Sequence, residues 1–562
     1  MRIFISGPNR QNPDRQEPIA MSGDIQVPIP VNEPVRSYAP GTAERTALKA
    51  KLKEFASQEI EIPLLIGGKE VRTGRTAKNV RPHKFGQTLA TCHWAGHKEI
   101  EAAIEAANEA HKEWSRWPWE ERASVLLKAA ELLSTTWRDT INAATMLCQS
   151  KTPHQAEIDA ACELIDFYRF NVHFAERLYQ DQPVSAAGMW NRIDYRPLEG
   201  FVYAITPFNF TSIAGNLPTA PALMGNTVVW KPGRTTIFSG YYLAKLLEAA
   251  GMPPGVVNFV PGDSGQITNM VLANPEFAGV HFTGSTAVFQ SFWRTIGENI
   301  HKYGSYPRIV GETGGKDFII AHPSADVDAL ITAIVRGAFE YQGQKCSAAS
   351  RVYVPEGMWT GMKDRLISEV DAIPMGDIAD FRNFMGAVID EKAFKKINTY
   401  IEDARVSHDA EILAGGESDG SEGYFIRPTI IQAKRPDYVT MCEEIFGPVL
   451  TVYVYPDARW EETLELLDST SPYALTGSVF ARDRRAVRDA NRILRHAAGN
   501  FYVNDKPTGA VVGQQPFGGS RASGTNDKAG SGLNLVRWIS ARTIKETFVP
   551  PSDYRYPYMM AE

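Results

Sequence analysis

Two short glycine-containing segments carry the side chains best suited to covalent chemistry. Glu312 lies within Gly311–Lys316, and Cys346 lies about thirty residues later within Gly343–Ser347. A thiolate attacks carbonyl carbon, and a carboxylate can remove or return a proton. Activation of Cys346 needs a nearby base or a lowered pKa, and the sequence shows neither. The two segments are therefore a candidate site for nucleophilic catalysis.

The other cysteines show no metal-binding or redox spacing. An odd total of five cysteines without a C-x-x-C pair is typical of a reducing compartment. Cys92, His93 and His97 are close in sequence, but no second Cys/His pair follows at zinc-finger spacing, so no metal is expected. Cys162 lies in an apolar helical stretch and is expected in the core.

Common nucleotide-binding motifs are absent from the sequence. It contains no G-x-G-x-x-G, and Val310 occupies the position of the first P-loop glycine before Gly315-Lys316. The segment His281–Thr286 remains, because it is a predicted strand, turn and helix start whose Gly284 would let a pyrophosphate approach the backbone. Alone this is weak evidence, since an ordinary strand–helix turn has the same pattern.

Composition and charge exclude several classes of protein. The 562 residues are 43% hydrophobic and 22% charged, close to globular averages, which excludes whole-chain disorder, collagen and coiled coil. The formal net charge of −6 argues against a nucleic-acid partner. No apolar run reaches the roughly 18 residues of a membrane-spanning helix, so no membrane partner is expected.

Strands and helices alternate through the middle of the chain, which predicts a doubly wound parallel sheet in an α/β fold. A second α/β series begins near Arg308 and runs to about residue 530. The predicted strands are 201–205, 227–230, 256–260, 280–282, 316–320 and 351–354, and the predicted helices include 236–250, which ends at Gly251, and 326–341.

Four motifs in order resemble those of the NAD(P)-dependent aldehyde dehydrogenase superfamily. They are Pro207-Phe208-Asn209-Phe210, Gly311–Lys316, Gly343–Ser347 and Glu443–Pro448, and the resemblance covers roughly residues 60–545. It implies an aldehyde dehydrogenase-like fold with a doubly wound parallel-sheet cofactor domain, an α/β catalytic domain and a β-hairpin oligomerisation flap.

The resemblance implies a role for each catalytic residue. The Cys346 thiolate would add to the aldehyde, and the side chain of Asn209 and the backbone N–H of Cys346 would stabilise the resulting oxyanion. Hydride transfer to NAD would leave a thioester, and Glu312 would act as general base for its hydrolysis. A catalytically silent structural protein on the same fold is the alternative from another class.

The cofactor residues are also implied by the resemblance, and they would hold NAD. Many NAD-preferring relatives have an acid three residues after the lysine of the Trp-Lys-Pro motif, whereas this chain has Arg234, so NADP stays an alternative. The implied cofactor residues are Thr206, Lys231, Gly284, Ser285, Thr286, Ala287, Val288, Glu444 and Phe446.

A string near the end of the chain resembles the group of the family that oxidises L-glutamate γ-semialdehyde, the open form of Δ1-pyrroline-5-carboxylate, in proline catabolism. The string comprises Thr508-Gly509-Ala510, 515–519 and 524–530, and 163–171 fits the same group. Another semialdehyde, such as succinate semialdehyde, is the alternative substrate. The implied substrate residues are Ser347, Gly509, Ala510, Phe210, Phe517 and Glu163, of which Glu163 fits a helix surface equally well.

The domain boundaries follow from these elements and motifs. We expect an N-terminal extended arm (1–59), a NAD-binding domain (60–182 and 201–309), a catalytic domain (310–530) and an oligomerisation flap (183–200 and 531–562). The flap would contain a β-hairpin at 183–200 and would make the protein a homodimer or a higher homo-oligomer. The expected location is the cytoplasm in a bacterium or the mitochondrial matrix in a eukaryote.

Overall fold

Two seven-stranded sheets, each mostly parallel, form the centres of the structure. A computed structural model describes Gly23 and residues 25–562. The α-helices are α1 Ala43–Ala56, α2 His97–Trp114, α3 Trp119–Ser134, α4 Arg138–Gln149, α5 Pro153–Ala156, α6 Leu164–Gln180, α7 Thr211–Leu223, α8 Ile237–Ala250, α9 Ser264–Ala273, α10 Thr286–Asn299, α11 Val327–Phe339, α12 Glu356–Asp371, α13 Glu391–Val406, α14 Val439–Cys442, α15 Trp460–Ser469, α16 Arg484–Ile493 and α17 Gly532–Leu535.

The strands follow the chain in the same way. They are β1 Ile60–Ile62, β2 Leu64–Ile66, β3 Lys69–Val71, β4 Thr76–Arg81, β5 Lys84–His93, β6 Met189–Pro197, β7 Phe201–Ile205, β8 Thr227–Lys231, β9 Val257–Phe259, β10 Phe277–Thr283, β11 Arg308–Glu312, β12 Asp317–Ala321, β13 Ala349–Pro355, β14 Ala410–Ala414, β15 Ser418–Asp419, β16 Phe425–Ile426, β17 Thr429–Ala433, β18 Val449–Tyr455, β19 Tyr473–Ala474, β20 Thr476–Phe480, β21 Asn500–Val503, β22 Ser520–Arg521 and β23 Ile539–Thr547.

The first large sheet has the order β11-β10-β7-β8-β9-β2-β3. Strands β11 to β9 in this order run parallel, and β2 and β3 add an antiparallel edge. Strands β7, β8 and β10 are buried along their whole length, as expected for parallel strands covered by helices on both faces. The predicted strands and the helix that ends at Gly251 (φ +96°) therefore form the predicted doubly wound sheet.

The second large sheet has the order β14-β17-β18-β13-β12-β20-β21, in which β14 alone is antiparallel to its neighbour. Main-chain contacts join the two units where β11 ends. Glu312 forms an antiparallel bridge with Gly524, and the N–H of Thr313 donates to Ser523 at 2.9 Å. This junction brings the end of β11 against the segment that carries the 524–530 string.

Two details of the predicted organisation are wrong. The arm is not extended to residue 59, because Ala43–Ala56 forms α1, which buries Leu48, Leu52 and Phe55. The segment 183–200 is not a hairpin, since its single strand β6 pairs antiparallel with β23 at the far end of the chain. Sequence patterns do not reveal this pairing, because residues 198–538 lie between the two strands.

The rest of the arm, residues 25–42, contains no strand or helix and is held by buried charges. The carboxylate of Glu157 pairs with Arg138, and it accepts hydrogen bonds from the backbone N–H of Arg36 and the hydroxyl of Tyr38, both at 2.8 Å. Arg138 also pairs with Glu33. The side chains of Arg138 and Glu157 are 1% and 0% exposed, so their charges depend on each other.

None of the helices in the described residues is both long and apolar enough to pass through a bilayer.

Replacing Arg138 by methionine will lower the free energy of unfolding by about 3–5 kcal/mol, because Glu157 is then left as an unpaired buried charge. Urea-induced unfolding measures the change. The matched control is Arg382→Met, whose ion pair with Asp380 lies at the surface and contributes about 0–1 kcal/mol. Equal losses of unfolding free energy in the two variants would contradict a stabilising role of the buried Arg138–Glu157 pair.

Candidate active site

The carboxyl edge of the first sheet collects several of the residues singled out in the sequence. Thr206 directly follows β7, Lys231 ends β8, and Gly284 follows β10. Glu312 ends β11 and lies opposite Thr283 in the strand register. Because neighbouring parallel strands end at the same edge, Thr206, Lys231, Gly284 and the expected general base lie along one edge of the sheet.

A left-handed turn positions Cys346 next to this edge. Tyr341, Gln342 and Gly343 have φ values of 51°, 56° and 65°, and the first two are not glycine. The Gln342 amide donates to the carbonyl groups of Ser150 and Ala387 at 3.1 and 2.7 Å. A Cβ at Gly343 would lie 2.3 Å from the Gly447 carbonyl oxygen, so only glycine fits there.

A cavity of about 470 Å³ contains two of the three predicted catalytic residues and all of the predicted substrate residues. Cys346 and Glu312 both line it. All of the residues that the sequence assigned to the substrate also line it, namely Ser347, Gly509, Ala510, Phe210, Phe517 and Glu163. The fold therefore brings together segments that lie hundreds of residues apart in the chain.

Burial and neighbouring carboxylates make the Cys346 thiolate unfavourable. Burial raises the pKa of the Cys346 thiol well above its ordinary value, and the charges of Glu312 and Asp317 raise it further. The free thiol is therefore the stable form, and a base must remove its proton when it attacks. Glu312, the predicted general base, lines the same cavity.

Glu312 has an environment that suits a general base. Its Oε1 atom is buried and has no hydrogen-bond partner among the described residues. Burial raises the pKa of Glu312 to about 8, against a lowering by the Lys528 ammonium, while Asp527 adds to the increase. A carboxyl group with a pKa near neutral pH can both accept and return a proton.

Asn209 is not among the residues that line the large cavity, although the adjacent Phe210 is. Its side chain is buried, and its Nδ2 donates to the carbonyl oxygen of Gln344 at 3.0 Å, two residues before Cys346. The amide nitrogen carries a second N–H, which this bond leaves free. The neighbouring Phe210 reaches the cavity, and the Lys151 ammonium lies 4.3 Å from the centre of its ring.

Glu444 and Phe446 do not line the large cavity. Both line a second, small cavity, and Cys346 lines both cavities. Glu444 Oε1 accepts from the Gly315 N–H at 2.9 Å, and a Cβ at Gly314 would lie 2.5 Å from Glu444 Oε2. Phe446, with φ +64°, packs edge-on against Phe208. Cys346 is thus shared by the cavity of the predicted substrate residues and the cavity of these two predicted cofactor residues.

The residues at the sheet edge fit an anionic dinucleotide. The Lys231 amine has no ion-pair partner within 25–562, and its burial lowers its pKa to about 8. Ser285 follows Gly284 and precedes α10, and it makes no side-chain hydrogen bond that caps the helix. The first N–H groups of α10, which starts with Thr286, Ala287 and Val288, are therefore free to bind a phosphate. Thr206 accepts from the Trp230 indole at 3.0 Å, which fixes the turn beside Lys231.

Arg234 is exposed and lies close to these groups. Its guanidinium lies 5.4 Å from the centre of the Trp94 ring, and its charge contributes to the lowered pKa of Lys231. No acid occupies the position three residues after Lys231, as the sequence already shows.

The far wall of the large cavity combines a glycine loop with buried polar groups. Gly509 has φ +96°, and a Cβ there would lie 3.0 Å from the Lys506 amine. Ser347 donates to the Thr508 hydroxyl at 2.8 Å. Glu163 accepts from the Ser212 hydroxyl at 2.9 Å, and burial raises its pKa to about 8. Glu163 is therefore part of the cavity wall and not a helix-surface residue.

Comparison with known proteins agrees with this geometry. Residues 70–544 match the aldehyde dehydrogenase family. The chain belongs to that family. The resemblance seen in the four motifs and the predicted fold class are thereby confirmed.

Several relatives of this aldehyde dehydrogenase carry the same name. Δ1-pyrroline-5-carboxylate dehydrogenase, mitochondrial, of Dictyostelium discoideum is 53% identical and covers 95% of this chain and 96% of its own. Its namesake from Homo sapiens is 49% identical and covers 94% of both chains. The crystal structure of the Mycobacterium tuberculosis Δ1-pyrroline-5-carboxylate dehydrogenase bound with NAD is 55% identical, covers 96% of this chain and 100% of its own, and has a TM-score of 0.93.

Sequence reasoning missed some residues of the cavity. Lys528 and Asp527 lie within the string that identified the subgroup, yet their positions beside Glu312 become apparent only in the structure. Asn32, Glu33 and Val35 also line the cavity, although they belong to the arm. A segment without periodicity carries no sequence signal for the surface on which it packs.

The charges of Lys528 and Asp527 will shift the pH profile of kcat in opposite directions. Ionisation of Glu312 makes activity rise with pH, and the Lys528 ammonium lowers the pKa of Glu312. Lys528→Met will therefore move the rising limb to higher pH by about one unit, and Asp527→Asn will move it to lower pH. Steady-state rates from pH 6 to 10 measure both changes.

Lys528→Arg keeps the charge and is expected to restore the wild-type limb. Lys395→Met, which removes an exposed lysine paired with Glu391, is the surface control. Shifts of the same sign in Lys528→Met and Asp527→Asn would contradict an electrostatic effect on Glu312.

Proposed function

We propose that this chain oxidises L-glutamate γ-semialdehyde, formed from Δ1-pyrroline-5-carboxylate, to L-glutamate with NAD, the second step of proline catabolism. The observation that carries the proposal is the position of Cys346 between the cavity lined by the predicted substrate residues and the small cavity of Glu444 and Phe446. The names of the relatives at about 50% identity support the same reaction.

The chemistry begins with the thiol of Cys346. Glu312 takes its proton as the sulfur adds to the aldehyde carbon, which forms a thiohemiacetal oxyanion. The free amide N–H of Asn209 and the backbone N–H of Cys346 stabilise that oxygen. Fixed donors of this kind need no reorganisation when the charge forms, so they lower the barrier.

NAD, when bound, supplies the acceptor for the hydride that leaves the thiohemiacetal carbon. Lys231, the N-terminal turn of α10 and Glu444 are the groups of this chain that would hold it. The acyl group is then a thioester of Cys346. Glu312 first releases the thiol proton to solvent. It then removes a proton from water as the water attacks the thioester carbonyl, and it returns that proton to the sulfur as glutamate leaves.

The amino-acid end of the substrate fits the far wall of the cavity. Backbone N–H groups of Gly509 and Ala510 and the Ser347 hydroxyl bind the α-carboxylate. Glu163 faces the α-ammonium, and Phe210 and Phe517 contact the methylene groups between the two ends. Ala510 lacks the hydroxyl group that some relatives carry, so this loop binds chiefly through its backbone.

NAD is the preferred cofactor in this proposal, and NADP is the alternative. The NAD-bound structure from Mycobacterium tuberculosis supports NAD. Arg234 supports tolerance of NADP, because its exposed guanidinium lies close to Lys231 and would face a 2′-phosphate.

The paired strands β6 and β23 support a homodimer or a higher homo-oligomer. They form a two-stranded sheet with free edges, followed by an exposed segment with Phe548, Val549 and Tyr554. Sedimentation that gives the 62.2 kDa mass of one chain would contradict this part of the proposal. The names of the eukaryotic relatives favour the mitochondrial matrix, if the source is a eukaryote.

The expected substrate preference is measured by steady-state oxidation of Δ1-pyrroline-5-carboxylate and succinate semialdehyde, each with NAD and with NADP. We expect the highest kcat/KM for Δ1-pyrroline-5-carboxylate with NAD, because the cavity offers contacts to an α-carboxylate and an α-ammonium. A higher kcat/KM for succinate semialdehyde would contradict the proposed substrate, and a higher value with NADP would contradict the proposed cofactor.

Cys346→Ala will abolish the oxidation, with a loss of about a thousandfold or more in kcat, because no covalent intermediate can form. Cys442→Ala is the matched control, since Cys442 is a half-buried thiol that does not line the cavity. Wild-type activity in Cys346→Ala would rule out the assigned nucleophile.

A further inference from the structure

The arm (residues 25–42) forms part of the cavity wall near the predicted amino-acid end of the substrate. Asn32, Glu33 and Val35 line the same cavity as Cys346, together with Gly509 and Ala510. Asn32 and Glu33 are half-buried, whereas the adjacent Val31 is 70% exposed. The arm therefore faces the site at a short and well-defined stretch.

Asn32 connects the loop 509–514, which contains Gly509 and Ala510, to the helix α6. Its Nδ2 atom donates to the carbonyl oxygen of Val512 and to Asp166 Oδ2, both at 2.8 Å. Its Oδ1 atom accepts from Gln514 Nε2 at 2.9 Å. Three hydrogen bonds from one side-chain amide thus link the arm, the helix α6 and the loop 509–514.

The backbone next to Asn32 is fixed by contacts of the neighbouring Glu33. The N–H of Glu33 donates to Asp166 Oδ1 at 2.8 Å, and Glu33 Oε2 pairs with Arg169 at 2.8 Å. Glu33 Oε1 pairs with the buried Arg138. Asn32 is therefore held in place, and the loop takes its position from Asn32.

The loop also lacks regular secondary structure of its own. Residues 504–519 contain no strand or helix. Gly513 has φ +82°, and a Cβ there would lie 2.2 Å from the Phe170 ring. A turn bond from the Gln514 N–H to the Val511 carbonyl at 3.0 Å is local and does not fix the loop to its surroundings. Apolar contacts of Val512 and Gly513 hold the loop in part, and the bonds to Asn32 are the hydrogen bonds that join 509–514 to a distant segment of the described residues.

We propose that Asn32 is a positioning residue that sets specificity for aldehydes with an α-amino-acid end, by holding the loop 509–514 against the cavity. The proposal rests on the proposed function, because that function places the α-carboxylate at Gly509 and Ala510. The arm thereby contributes to substrate recognition through the loop, without touching the reacting atoms.

The effect is confined to one end of the substrate. Cys346 and Glu312 are carried by the left-handed turn and by β11, which are fixed independently of Asn32. Loss of the Asn32 amide will therefore weaken binding of the α-carboxylate and leave the chemistry at the aldehyde unchanged. Such a change raises KM and leaves kcat the same.

The test compares Δ1-pyrroline-5-carboxylate with butanal, which keeps the carbon chain from the aldehyde to the α-carbon but has no charged end. For Asn32→Ala we expect KM for Δ1-pyrroline-5-carboxylate to rise about tenfold, the effect of losing one or two hydrogen bonds. We expect kcat for that substrate, and kcat/KM for butanal, to stay within about twofold of the wild type, since uniform binding alone is lost.

Three further variants separate positioning from general damage. Asn32→Asp keeps the side-chain volume but removes the donor, so its KM will rise at least as much as that of Asn32→Ala. Gln514→Ala removes the partner of Oδ1, and combining it with Asn32→Ala will give less than the sum of the two single effects. Val31→Ala, in the same arm but directed to solvent, will match the wild type.

The outcomes that overturn the proposal are specific. An equal loss of kcat/KM for both aldehydes in Asn32→Ala assigns a purely structural role to the arm. An unchanged KM in Asn32→Ala and in Asn32→Asp shows that the loop holds its position alone. Either result contradicts the proposal while wild-type oxidation of Δ1-pyrroline-5-carboxylate is intact, whereas absence of that wild-type activity contradicts the proposed function instead.

Discussion

The left-handed turn Tyr341–Gln342–Gly343 is the constraint on which the site depends. Two non-glycine residues with positive φ each cost free energy, and they persist because their surroundings leave no other arrangement. The buried Gln342 amide is bound to two carbonyl groups, and Gly343 lies against the backbone of Gly447. The turn ends three residues before Cys346, so its fixed conformation determines where the backbone places Cys346.

Burial also affects the protonation of Cys346, because charges interact more strongly where water is excluded. Carboxylates surround Cys346 and keep its proton in place, which protects the thiol from oxidation and from adventitious electrophiles. The same surroundings raise the pKa of Glu312 and Glu163, so several carboxyl groups of the cavity titrate close to neutral pH.

Much of this arrangement could be predicted from the sequence, because local patterns and ordered motifs specify the central elements. The apolar runs at 201–205 and 227–230 indicate buried parallel strands, and the motifs around Asn209, Glu312 and Cys346 indicate one site. The roles of those residues and the domain boundaries remain predictions.

Other features could not be predicted, since they depend on contacts between distant segments. Strand β6 alternates polar and apolar residues whatever its partner, so its pairing with β23 leaves no local trace. Asn32 lies in a proline-containing stretch without periodicity, and its partners Asp166 and Val512 are far along the chain. The positive φ of Tyr341 and Gln342 is equally invisible, because neither residue type favours that conformation.

The pairing of β6 with β23 determines when this two-stranded ribbon can form during synthesis. A ribosome adds residues from the N-terminus, so β6 is made long before the strand that covers one of its edges. The first sheet can form while synthesis continues, but the unpaired β6 presents an open edge that can bind other chains. In the proposed oligomer, subunits can therefore assemble through this ribbon only after β23 has been made.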